Sequence, residues 1–559
     1  VGGGPSGSFF AYFLLEMAER VGRRIAVDLY EPRDFSQPSP KGCNMCGGII
    51  SESLVQNLAA EGINLPSTVV QRGIDSYILH MDVGSVRIDT PLHEMRIAAV
   101  YRGSGPRDQK QPRWGSFDGH LQDLAAKKGV RILPKRVERI ARVNGLRSIR
   151  TEDAFEEAYD LVAVTSGLNA FAPKFLKTIA PPYDVPATTK TLIREYHLGE
   201  ETIRDVLGTS MHVFLLNIPR LEFAAIIPKG DYATVCLLGV DIDKELVDSF
   251  MNAPPVRARF PTEWDAKAAS CQCWPKINIR GSRRPFDDRL VFIGDCAVTR
   301  LYKDGIGGAY RAAKAAATTA VFHGVSSADF RQHYLPYCRR VATDNALGKL
   351  TFLATRVIQR SRPIRRAVWR LTSREQAMAG RSRRMSQVLW DLFTGSASYQ
   401  EILVRTLHPA FLYRFARHFF PAVQLSGTPA QGKGATMRSS VLGRVYQEGE
   451  YIVRQGHAGE CMYVIQSGEV EVTIERDGVE VPLRTLRDGD FFGEMALFDR
   501  EVRSASVRAK GEATVLTVDR SGLMKRIQED PSLAFRMIQQ MSGRIRQLTN
   551  DIVRLKGSA

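Results

Sequence analysis

Residues 2–7 read GGGPSG. Gly2, Gly4 and Gly7 give the spacing GxGxxG, which alone fits many turns; Pro5 and Ser6 lie within the same turn. The setting decides the reading. A helical stretch, SFFAYFLLEMAERV (8–21), follows at once, and then a strand-like run, RIAVDLYE (24–31), that ends in Glu31. In that order, glycines without Cβ atoms let the backbone approach a pyrophosphate, and the helix N-terminus offers free N–H groups to it. A carboxylate roughly 20 residues further on accepts the hydrogen bonds of a ribose. Such a fold needs a strand before its glycine turn, so with Val1 as the first residue we expect a sequence trimmed at its N-terminus.

Working outward, 559 residues exceed what one hydrophobic core serves, so two or three domains are expected. Hydrophobic residues at 44% and charged residues at 25% are ordinary for a globular protein. A formal net charge of +17 favours an anionic partner such as a membrane surface, a nucleic acid or a phosphorylated ligand. Of eight cysteines, Cys43/Cys46 and Cys271/Cys273 are closely spaced with few histidines near. A disulfide framework and a metal site are therefore not expected, and a reduced cytoplasmic setting is. No apolar run reaches the roughly 18 residues that span a bilayer.

Short strands alternate with helices over residues 1–343, as in DLVAVTSG (160–167) and RLVFIGD (289–295), both suited to buried parallel strands. A helix-rich stretch follows over 344–423. The run QLSGTPAQGKGATMRSS (424–440) reads as a linker. Residues 441–559 show short alternating strands punctuated by glycines, then one long amphipathic helix.

The segment FIGDCAVTRLYKDGIGGAYRAAKAAA (292–317) places Gly294-Asp295 after a strand, then Gly305, Gly307 and Gly308 before an Ala-rich helix. Together with DLVAVTSG this resembles two-dinucleotide-binding-domain flavoproteins of the glutathione reductase type. The resemblance implies that Asp295 contacts the ribityl chain of FAD and that the GIGG turn faces the pyrophosphate and flavin ring. CNMCGGIIS (43–51), WGSFDGHLQDLAAKKGVRI (114–132) and FAAIIPKGDYATVCLLG (223–239) narrow it to the geranylgeranyl reductase branch. That branch implies a p-hydroxybenzoate-hydroxylase-like α/β fold, a parallel sheet with an antiparallel substrate sheet over the flavin. By the same resemblance Arg113 touches FAD phosphate, although it stands one place off the usual spacing, and the Val137 backbone holds the adenine edge. Cys46 and Gly47 lie beside the ring, where a thiol can donate a proton to a reduced alkene. Cys43 makes a CxxC with Cys46, so a redox disulfide is the alternative. Phe223–Pro228 reads FAAIIP without the tryptophans of a halogenase motif. With no second nicotinamide domain in view, the electron donor is NAD(P)H visiting the same domain or a separate reductase.

Between residues 344 and 423 thirteen arginines face only four acids, Asp344, Glu375, Asp391 and Glu401, with apolar residues interleaved. Such a surface suits anionic lipid, or is a solvated face of helices packed on the flavin domain. No recognition motif accompanies the charge, so nucleic acid is not an expected partner.

Near the far end, FFGEMALFDREVRSASV (491–507) follows the turn RDGD (487–490) and the strand residues MYVIQSGEVEV (462–472). Glu494 can accept from a ribose hydroxyl. Arg503 can pair with a phosphodiester through two donors, in a geometry that lysine cannot copy. This stretch resembles the cyclic nucleotide-binding domain of the catabolite activator protein and of cAMP-dependent kinase regulatory subunits, a β-roll with a phosphate cassette. The resemblance assigns Gly493, Glu494, Met495, Ala496, Arg503, Ser504 and Ala505 to the ligand. It places Thr549, or its neighbour Asn550, of the last helix near the base, and it implies that this helix often dimerises. Cyclic AMP is favoured slightly over cyclic GMP. The expected function is an FAD-dependent oxidoreductase acting on a hydrophobic, isoprenoid- or lipid-like substrate and regulated by cyclic nucleotide. The alternatives are a flavin monooxygenase and a non-catalytic sensor scaffold.

Overall fold

The structure, a computed structural model, describes all residues except 44, 91–93, 110–113, 170–178, 180–182, 266, 379–382, 420–439, 477–478, 496, 498–501, 521–522, 525–526, 528–531 and 558–559. The described chain divides into two units: Val1–Ser53, Ser67–His93 and Ile97–Ser440 form the first, and Leu54–Pro66, Glu94–Arg96 and Val441–Ala559 the second.

In the first unit, helix α1 (Pro5–Arg20) starts on the glycine turn with Pro5 in its first turn, where a missing N–H costs nothing. Val1 and Gly2 stand between two groups of parallel strands. Gly2 N donates to Tyr30 O (2.9 Å), beside the pair Asp28–Tyr30 and Arg131–Leu133. Thr165 N donates to Val1 O (2.8 Å), next to the pair Val162–Val164 and Leu290–Phe292. Helix α2 (Phe117–Lys127) is capped by the Ser116 hydroxyl, which accepts from Gly119 N. Helix α3 (Gly305–Phe322) packs along α1, with the Tyr310 ring edge-on to Phe9 and Phe13, and buries Ala312, Ala313, Ala316 and Ala317 completely.

The second layer is a seven-stranded sheet in the order Cys271–Cys273, Leu192–His197, Tyr232–Gly239, Leu221–Lys229, Ser210–Phe214, Ser76–Met81, Gly84–Asp89. It is antiparallel except for Ser210–Phe214 against Ser76–Met81. This is the expected parallel-plus-antiparallel arrangement. Its central strands bury both faces, which explains the near-continuous apolar run of Phe223–Pro228.

The basic helical stretch belongs to this same core. Helices α4 (Leu335–Arg360), α5 (Arg362–Ala377), α6 (Arg384–Thr394), α7 (Tyr399–Thr406) and α8 (Pro409–Phe419) send Phe352, Val368, Trp390, Tyr399 and Phe411 into one cluster with Tyr77, Met211 and Phe223 of the sheet. Phe352 stacks on Phe223 and Trp390 on Tyr77. Two arginines pin the helices to the sheet: Arg356 pairs with buried Glu222 (2.5 Å), and Arg365 donates to Asp82 Oδ2 (2.8 Å). A share of the arginines therefore has a structural role.

The second unit is a β-roll. Its long strand Cys461–Arg476 pairs with Ser506–Asp519 and Val479–Leu486 around Ile465, Val470, Phe492 and Val515. Helix α9 (Ser532–Gly557) ends it. Arg96 within this unit pairs with Glu94 (3.1 Å) and Asp519 (3.3 Å).

Candidate functional site

The glycine turn of the first unit is a cradle with no room for side chains. Gly2 has φ +104°, and a Cβ there would lie 2.8 Å from the Thr165 backbone. A Cβ at Gly7 would sit 1.9 Å from Gly2 O. Gly294 has φ +73° and faces the Ser6 hydroxyl, 2.1 Å from where its Cβ would stand. Pro5 has no N–H and Gly7 N already donates to Gly4 O (3.0 Å), so these close approaches leave the amides of Gly4 and Ser6 to meet an anion. Glu31 is buried, accepts from Gly3 N (2.8 Å) through Oε2 and from Arg33 through Oε1.

One cavity of about 320 Å³, within the range of ligand pockets, collects most of the expected residues. Gly2, Gly4, Pro5, Ser6, Glu31, Cys46, Gly47, Asp295 and Gly305 line it. Gly7, Gly294, Gly307 and Gly308 stand behind that lining, in the first turn of α1, after Phe292 and in the first turn of α3. Burial pushes the Asp295 carboxyl up, against the Thr299 hydroxyl and the Arg102 guanidinium, which hold it down. Val137 lies elsewhere, buried with Tyr30 and Val162. Arg113 falls outside the described residues.

The cavity continues from this polar end into an apolar one lined by Ile193, Met211, Phe223, Ile227, Leu238 and Phe393. Cys46 stands at the junction, its sulfur accepting from Gly48 N (3.4 Å). The neighbouring thiols are held protonated: burial raises Cys43 and pushes Cys236 up to about 12.

Four residues here went unread in the sequence. Arg102 lines the cavity and makes a two-point pair with buried Asp118 (2.5 and 2.8 Å), and its guanidinium also reaches the Cys46 sulfur. Burial opposes its charge, but Asp118 and Cys46 more than offset this and raise its pKa overall. Asp304, in the left-handed region at φ 55°, accepts from Ser51 (2.8 Å) and Arg311 (2.6 Å) and so ties the end of CNMCGGIIS to α3. Lys229, 1% exposed, lies under Gly48, 3.6 Å from Glu195 and over the Tyr101 ring. Tyr302 follows the GD pair and also lines the cavity. Arg102 sits just after a strand with no motif spacing, so only the fold reveals it.

The residues present fit FAD: a side-chain-free cradle, a buried carboxylate one strand away, a second carboxylate beneath, and a cavity that runs on past them.

In the second unit Arg503 and Glu494 are each only 6% exposed. Arg503 donates to Gly493 O and Cys461 O, both at 2.6 Å, and lies over the Tyr463 ring. Gly493 and Gly459 close around it; a Cβ on either would come within 2.5 Å of the guanidinium. Glu494 Oε1 accepts from Arg544 of α9 (2.8 Å), which the sequence reading missed. Met495 and Ser504 are exposed and Ala505 half-buried; Ala496 falls outside the described residues. Thr549 faces solvent and donates to Ile545 O one turn back.

A flavoprotein-type α/β unit with a covering sheet, and a β-roll with a buried glutamate–arginine cassette, define a two-part protein. The family model for the cyclic nucleotide-binding domain matches residues 443–530, and the chain carries that domain. The cAMP-dependent protein kinase regulatory subunit of Emericella nidulans is 44% identical over 80 residues, 14% of this chain and 19% of that protein. The cGMP-dependent protein kinase egl-4 of Caenorhabditis elegans is 45% identical over 91 residues, 16% of this chain and 12% of that protein. The chain thus spans less than a fifth of the length of either relative. The first unit has the fold of a geranylgeranyl bacteriochlorophyll reductase-like protein from Thermoplasma acidophilum, at TM-score 0.52 and 16% identity, over 73% of this chain and 97% of that one. Among the described residues no group of side chains suits a metal ion, and no helix is long and apolar enough to cross a membrane.

Proposed function

We propose that the chain is an FAD-dependent oxidoreductase acting on a hydrophobic substrate and regulated by cyclic nucleotide. The continuity of the cavity carries this reading: the dinucleotide cradle opens directly into the apolar wall of Met211, Phe223, Ile227 and Phe393. FAD, when bound, supplies a two-electron carrier. The amides of Gly4 and Ser6, with Arg102, hold its phosphates, Glu31 its ribose, and Asp295 its ribityl chain. The apolar wall excludes water and takes the substrate. Cys46, at the junction, gives a proton to a substrate carbon, as a reduction of an alkene requires.

In the second unit Arg503 takes the cyclic phosphate, and Glu494 keeps Oε2 for a ribose hydroxyl while Oε1 holds Arg544. Ligand binding is thereby tied to α9. That helix presents Ile538, Ile545, Leu548 and Ile552 to solvent, each more than half exposed at spacings of 7, 3 and 4. Isoleucine and leucine so spaced form a seam for a second copy. The names of the kinase relatives support both cAMP and cGMP as candidate ligands.

The test is the rate of flavin reduction by NAD(P)H with and without cAMP, in wild type and in Arg503→Ala. A change of several-fold in wild type alone supports regulation. Equal rates in all four arms remove it. Product analysis under isotopically labelled oxygen separates reduction from hydroxylation.

A further inference from the structure

Helix α4 has one face buried through Asn345, Gly348, Phe352, Thr355 and Gln359, at the 3–4 spacing of a packed helix. The opposite face should be polar. It carries instead Leu350, Leu353 and Val357, 54%, 53% and 51% exposed. Helix α7 packs on α4 and α8 on α7. These two add Val404, Leu407, Leu412 and Tyr413, between 50% and 68% exposed. Three large apolar side chains together on one helix face exceed the scattered singles of an ordinary surface.

The charge on the helices of 344–423 is one-sided. All four acids of 344–423 are engaged by neighbouring groups. Asp344 accepts from Gln400 N (2.9 Å), and Glu375 from Ser386 N (2.8 Å) and Met385 N (3.2 Å). Asp391 holds Arg405, and Glu401 accepts from Ser398 (3.2 Å). Lys349, Arg360, Arg366 and Arg417 are exposed and carry no ion pair among the described residues. The outward field of the zone is therefore positive.

We propose that this face, the exposed side of α4, docks on an anionic lipid bilayer. An apolar stripe flanked by uncompensated cations is what the headgroup–acyl boundary of such a bilayer accepts. A second copy of the same face fits worse, because a two-fold contact sets a patch against itself and would bring cation against cation. Nucleic acid would meet the charge but leave the apolar stripe in water. The same zone supplies Phe393 to the apolar end of the cavity, so docking complements the reading of a hydrophobic substrate without depending on it.

The experiment is co-sedimentation of the full chain with vesicles of phosphatidylcholine alone and of phosphatidylcholine mixed with phosphatidylglycerol. Binding to the mixed vesicles that weakens as salt rises is expected. Lys349→Gln/Arg360→Gln should weaken it about 25-fold, at about fivefold for each cation. Leu353→Glu/Val357→Glu should abolish it, with the melting temperature and the cyclic nucleotide response unchanged because both positions are exposed. No binding to the mixed vesicles, or binding that neither variant alters, overturns the proposal. So does light scattering that shows a dimer dissolved by Leu353→Glu/Val357→Glu, since the face would then belong to a second copy. Vesicle binding is read without turnover, so a failure of the flavin reading leaves this result intact.

Discussion

Arg503→Ala is the substitution whose cost can be worked most fully from the structure. The guanidinium is 6% exposed and already oriented by the Gly493 and Cys461 carbonyls at 2.6 Å. A cyclic phosphate would add two charge-assisted hydrogen bonds in this buried place, each contributing about 1.5–3 kcal/mol. Their loss, about 3 kcal/mol at the least, raises Kd by two orders of magnitude or more. The substitution also leaves two carbonyls without their donor, at about 1–3 kcal/mol each if they stay dry. The ligand-free variant should therefore melt lower than wild type, and affinity must be separated from that effect. The ligand-induced shift does so. At 100 times Kd, wild type gains about 2.7 kcal/mol; a variant binding 100-fold more weakly gains about 0.4 kcal/mol at the same concentration. Calorimetry gives the affinities directly. Arg503→Lys should fall between the two, since it keeps the charge but offers no fork. Wild-type heats of binding from Arg503→Ala would refute the assignment of the phosphate to this residue.

Gly294→Val should abolish flavin retention, because its Cβ would lie 2.1 Å from the Ser6 hydroxyl at φ +73°; flavin fluorescence released on denaturation measures it. His80 and His212 stack in the sheet, joined Nε2 to Nδ1 at 2.9 Å, and burial lowers them to about 2 and about 3. The unfolded chain protonates both near pH 6.5 while the native state does not. Their contribution is therefore present above that pH and is lost as pH falls towards 3, by up to about 1.4 kcal/mol per pH unit for each histidine. Replacing both by apolar residues, His80→Phe/His212→Leu, should flatten the fall of the melting temperature between pH 6.5 and 4.5. Ile545→Asp should dissolve a dimer held by α9, seen as a halved mass in light scattering with the flavin spectrum unchanged.

Much of the fold was legible because its signals are local. The glycine turn, the GD pair and GIGG are short backbone requirements set by close approach, and the cassette of Glu494 and Arg503 is ten residues long. The covering sheet was legible through likeness to known sequences more than through alternation, since strands buried on both faces lose their period of two. What the sequence hid is what depends on long-range packing. Arg102 meets Cys46 and Asp118 only through the fold, Arg544 reaches Glu494 from fifty positions away, and the helices of 344–423 look like a separate basic extension until Phe352 and Trp390 are seen inside the sheet's core.

The flavin content of the purified chain tests the account most directly. After incubation with FAD and gel filtration, wild type should be yellow and release one FAD per chain on denaturation, identified by mass, while Gly294→Val releases none. A wild-type preparation that stays colourless and retains no FAD, although it still binds cyclic nucleotide and is folded, would contradict the reading of its first unit.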